Sequence, residues 1–69
     1  MDKHTAAELM QENLKLCAQL NVIMEKIEHI TPEEELRSMR RHIGDVMAAI
    51  DLHLFCPILR QYPDLDPHV

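Results

Sequence analysis

AAELMQENLKLCAQLNVIMEKIEHI, residues 6–30, places Ala6, Leu9, Asn13, Leu16, Leu20, Ile23, Ile27 and Ile30 at alternating steps of three and four. This is a heptad stripe with one polar interruption, and such a stripe has to be buried against another helix. Met10, Cys17 and Met24 widen it to three apolar positions per heptad. That width suits a multi-helix core better than a two-stranded seam.

Working outward, Thr5 is the expected cap of this first helix, with Glu8 three residues on reaching back as in a capping box. The far end is marked by Thr31-Pro32-Glu33-Glu34. A capping threonine, a proline at the first helical position and acidic residues at a helix's positive end together announce a second helix. In it Leu36, Ile43 and Ile50 stand seven apart, as do Met39, Val46 and His53, while Met47 and Leu54 widen the stripe. The expected organisation is a hairpin over residues 1–56: helix about 5–30, turn 31–32 and helix about 33–56. The two rods would be about 39 and about 36 Å long at 1.5 Å per residue, and so short a turn forces them antiparallel.

Residues 57–69 change character. Pro57 disfavours helical geometry in Cys56 and lacks a backbone donor, so the second helix should end or kink there. Ile58, Leu59 and Tyr62 suit a short final turn, and Tyr62-Pro63-Asp64-Leu65-Asp66-Pro67 reads as extended and turn-rich. Phe55 and Tyr62 are the chain's only aromatic residues. Their place in the last third makes Phe55, Ile58, Leu59 and Tyr62 the candidate contact surface for a partner protein; the alternative is that the segment plugs the end of the bundle.

Sixty-nine residues make one small domain, and a chain of this size buries a poor fraction of its surface when it folds alone. Cys17 and Cys56 are the only cysteines, and no secretory signal opens the sequence, so a reducing, cytoplasmic setting is expected. With 46% apolar residues, self-association is the natural supplement to the core. The fold class expected is therefore all-α: an antiparallel helical hairpin that dimerises into a four-helix bundle, with a short proline-punctuated C-terminal segment. Its core would comprise Leu9, Leu16, Leu20, Ile23, Ile27, Leu36, Met39, Ile43, Val46 and Ile50. Asn13 would lie level with about Ile50 to His53, where a pair with His53 would satisfy both groups.

Chemistry is sparse. The residues three before His29, His42 and His53 are Lys26, Met39 and Ile50, which excludes the Glu-x-x-His pattern of di-iron bundles. The only serine, Ser38, neighbours Arg37, and Cys17 lies within an apolar stripe where a thiol keeps its proton. No enzyme activity and no cofactor is expected. Zinc held by His53 and Cys56 is one alternative, since zinc accepts nitrogen and sulfur ligands. Nucleic-acid binding through Arg37, Arg40 and Arg41 is another, although a net charge of −5 opposes phosphate backbones and no aromatic residue stands nearby to stack a base. Salt bridges from these arginines to Glu25 and Glu28 across the hairpin are the preferred explanation of the cluster. The longest apolar run, Leu54 to Leu59, is broken by Pro57 and falls far short of the roughly 20 residues of a membrane span, so no membrane partner is expected. The function read from these residues is a small protein–protein interaction module, an adaptor, regulator or inhibitor, whose partners are its own second copy and another protein.

Overall fold

The computed structural model describes residues 1–67, and every element among them is helical. Helix α1 runs Lys3–Ile27. It begins ahead of Thr5 because Asp2 takes the cap, its carboxylate accepting the Thr5 N–H at 3.2 Å. Thr5 thus lies inside the first turn, and Glu8, freed from any capping box, pairs with His4 at 3.0 Å. The helix closes before Ile30: His29 and Ile30 donate to the Lys26 and Ile27 carbonyls at 3.1 and 3.0 Å, two tight turns that use up its last acceptors.

Helix α2, Glu33–Ile50, opens with Glu33, Glu34 and Glu35 in its first turn, where carboxylates offset the positive end of the helix dipole. Pro32 itself occupies the cap position and no side chain caps the helix, so Thr31 does not play the part expected of it. Beyond Ile50 the rod does not stop at Pro57. A π-helical segment, Asp51–Phe55, leads into helix α3, Cys56–Gln61, and the whole of Glu33–Gln61 is one unbroken helix of 29 residues. Proline has no N–H to give, and its ring collides with the carbonyl four residues back. The wider turn just before Pro57, in which the Cys56 N–H reaches the Asp51 carbonyl, relieves that collision without ending the helix.

The widened turn also creates the lock between the two rods. Asn13, buried in the seam, donates its side-chain amide to the Leu54 carbonyl at 2.9 Å. At the turn end Arg40 grips Glu28 with a two-pronged ion pair, one arm at 2.9 Å. Both pairs set one register, in which facing positions of the antiparallel rods add to about 67 (13 with 54). Cys17 therefore stands level with Ile50, and Asn13 bonds backbone rather than His53.

The far end of this long helix packs on the start of α1. Ala6, Met10 and Ile58 form the buried cluster, with Phe55, Leu59, Tyr62 and Leu65 packed on it. After α3 a single 3-10 turn, Pro63–Leu65, brings the chain beside its own start. There the Tyr62 hydroxyl donates to the Met1 carbonyl at 2.7 Å, the Met1 amino group donates to Gln61 Oε1 at 3.2 Å, and Lys3 forms an ion pair with Asp64.

The result is a rod of 47 × 19 × 17 Å with a radius of gyration of 14.8 Å, where a globular chain of this length would have about 11 Å. Its accessible surface, 5239 Å², exceeds by about 700 Å² the roughly 4,500 Å² expected of a folded monomer of this mass.

Two expectations follow. Replacing Asn13 by alanine leaves the Leu54 carbonyl without its side-chain donor and should cost about 1–2 kcal/mol, read as a lower urea midpoint at fixed protein concentration. The carboxyls of Asp2, Asp64 and Glu28 are held below their ordinary values by hydrogen bonds from Thr5, Lys3 and Arg40 respectively. A carboxyl whose folded value is depressed contributes stability that is present above its unfolded value and lost as pH falls through the folded one. Melting temperature should therefore fall as pH drops below about 4, and Asp64→Asn should flatten that dependence in a thermal titration.

Candidate functional site

The hairpin seam uses only one flank of each apolar stripe. Leu20 and Ile27 are buried within it, and Leu36, Ile43 and Ile50 are half-buried. The other five residues expected in a dimer core, Leu9, Leu16, Ile23, Met39 and Val46, are exposed, from 38% at Leu16 to 46% at Val46. Leu9 shares a shallow groove with Asn13, His53 and Leu54, so the two stripes meet on one side of the hairpin. Seven-residue steps carry that side along α1 through Leu16 and Ile23, and along α2 through Val46 and Met39.

The opposite side is different. Leu14, Cys17, Leu20, Met47, Ile50, Phe55 and Leu59 line a half-open apolar cavity of about 430 Å³, rimmed by Asp51, Asp66 and Pro67. A smaller hollow of about 280 Å³ continues it from Met47 towards Met24, Ile43 and the Glu28–Arg40 pair. The C-terminal segment closes the far end of this groove. One side of the rod is thus partly roofed by the chain itself, whereas the other is flat, apolar and bare.

The four residues expected to touch a partner protein belong to the roof. Ile58 is buried, and Phe55, Leu59 and Tyr62 are half-buried against α1. They pack about Ala6 and Met10, while Phe55 and Leu59 also line the half-open cavity. Sequence spacing hides this because Ala6 and Met10 lie fifty residues away. The signal that does exist is the small size of Ala6, which lets the far end of the second rod lie close against α1.

The basic cluster is largely engaged. Arg40 holds Glu28 and is itself held fully charged by it, and Arg37 bonds Glu33 at 3.1 Å. Glu25 takes part in none of the described ion pairs. Of the candidate zinc ligands, His53 is exposed on the bare side and Cys56 is half-buried. Among the described residues no three histidine, cysteine or acidic side chains gather as a metal site. Cys17 and Cys56 are both free thiols.

By length and composition the unbroken rod Glu33–Gln61 is apolar enough to cross a bilayer, a property masked in the sequence by the apparent break at Pro57. It nonetheless carries Asp45 and Asp51, and a carboxylate at a bilayer centre costs about 2.5–3.5 kcal/mol.

Gly44 lies inside α2 beside the smaller hollow, and a β-carbon added there would meet nothing within 4 Å. Gly44→Ala should therefore raise stability by up to about 1 kcal/mol, measured by chemical denaturation. No protein-family model, no curated protein and no solved structure matches this chain.

Proposed function

We propose that this chain is a small protein–protein interaction module that works as a homodimer, two hairpins packing their bare sides into a four-helix bundle. The observation that carries this reading is the apolar stripe Leu9, Leu16, Ile23, Met39 and Val46, left exposed on one side of a rod whose other side is partly roofed. The surplus of about 700 Å² approaches the roughly 800 Å² that each partner contributes to a stable interface. Water contact over such a stripe is costly, at about 25 cal/mol per Å² of apolar surface, and a second copy offers the complementary stripe by symmetry.

An adaptor, regulator or inhibitor is the role that suits this surface. The methionines favour the same reading: Met24 and Met47 line the groove on the second side, and flexible thioethers adapt to varied contacts. Two unpaired thiols suit a reducing, cytoplasmic setting. Packing within a bundle also accounts for the apolarity of Glu33–Gln61 without a bilayer. Nucleic-acid binding draws no support from arginines already paired with Glu28 and Glu33.

Sedimentation velocity from about 1 to about 100 μM should show a dimer whose dissociation is concentration-dependent. Leu16→Glu or Val46→Glu, each burying an unpaired charge at the stripe, should weaken it by more than about a hundredfold. A folded single copy throughout that range overturns the proposal.

A further inference from the structure

We infer that the homodimer is a proton-sensitive one: covering the bare side of the hairpin shuts His53 and His42 into the interface, and protonating them drives the two copies apart. This rests on the homodimer reading and adds its regulation. It holds whichever way round the second copy lies.

Both histidines are exposed in the single chain. His53 stands seven residues beyond Val46 and His42 four before it, spacings that put all three on one face of a helix. His53 also lines the shallow groove that holds Leu9 and Asn13. In the register where facing positions add to about 67, His53 (53 with 14) falls between the levels of Leu9 and Leu16. His42 (42 with 25) falls between the levels of Ile23 and Met39. A surface that covers Leu9, Leu16, Ile23, Met39 and Val46 therefore passes over both imidazoles.

A neutral imidazole fits such a place, whereas an imidazolium without a partner there is costly. Around His53 the charges do not offset it. The Met1 amino group lines the same groove and carries the same sign, as does Arg60 two turns further along the helix. On α1 the carboxylates near that level, Glu8 and Glu12, are bonded to His4 and Lys15, each at 3.0 Å. Asp51 lines the cavity on the opposite side. His42 has Asp45 three residues on and Glu35 seven before it on its own helix, and stands level with Glu25 and Lys26 of α1. His53 thus carries the larger share of the effect.

A histidine kept neutral in the assembled state binds fewer protons there than in the free chain. As pH falls through the ordinary histidine value of about 6.5, proton uptake therefore favours separation. Each imidazole fully barred from protonation raises the dissociation constant about tenfold between pH 7.5 and 5.5, so the two copies of His53 together raise it about a hundredfold. The carboxyls of Asp2, Asp64 and Glu28, held below their ordinary values, stay ionised over that range.

The test is sedimentation equilibrium of the full chain at pH 7.5, 6.5 and 5.5 and fixed salt. The dimer dissociation constant should rise about a hundredfold from the first to the last. His53→Gln should cut the rise to about tenfold or less, and His42→Gln combined with His53→Gln to within about threefold. Glutamine keeps a polar side chain without the charge, and both sites are exposed, so the hairpin itself is undisturbed. A dimer equally tight at all three values, or tighter at pH 5.5, overturns this inference while the homodimer stands. A rise that the double variant retains in full also overturns it, and assigns the effect to other groups such as the Met1 amino group or the His4–Glu8 pair. A single copy at every pH overturns both this inference and the homodimer reading beneath it.

Discussion

A helix that carries three apolar positions per heptad cannot bury all of them against one neighbour. This geometric limit governs the molecule. Two antiparallel rods hide the flanks that face each other, and each is left with one further row of leucine, isoleucine, valine or methionine. The chain answers the surplus differently on its two sides. On one, the end of the long second helix and the turn after it cover Ala6 and Met10 and leave a groove beyond. On the other, the row from Leu9 to Ile23 is exposed beside the row from Met39 to Val46.

The register of the rods depends on a proline and an asparagine acting together. Pro57 forces a wider turn in the helix ahead of it, and Asn13 bonds a carbonyl of that turn. A residue type usually read as a helix breaker therefore helps to fix the distance and level at which the two helices meet. The Arg40–Glu28 pair at the other end agrees with the same register to within one residue.

Much of the fold was legible from spacing alone. Leu9 to Ile30 and Leu36 to Ile50 betray two amphipathic helices because periodicity is a property of neighbours in sequence. The turn was legible for the same reason, since Pro32 and the three glutamates after it act locally. What spacing could not show were contacts between residues far apart. Asp2 rather than Thr5 caps α1 because only one of the two has the right backbone geometry. Pro57 reads as a stop, and only the widened turn ahead of it shows how the helix continues. Phe55, Ile58, Leu59 and Tyr62 look like a loose apolar tail until Ala6 and Met10 are seen beneath them. Of the ten residues read as a dimer core, five are exposed in the single chain and five are buried or half-buried within its own seam.

The joining of Met1 and Lys3 to Gln61, Tyr62 and Asp64 has a mechanical consequence. Both ends of the described chain emerge at the same tip of the rod, opposite the turn. A pulling force applied through them would act across the rods rather than along them, opening the structure like a zipper, one layer of side chains at a time. The Tyr62 hydroxyl and the Lys3–Asp64 pair are the first teeth, so resistance to such a load resides in a few polar contacts at the tip and not in the whole length of the apolar seam.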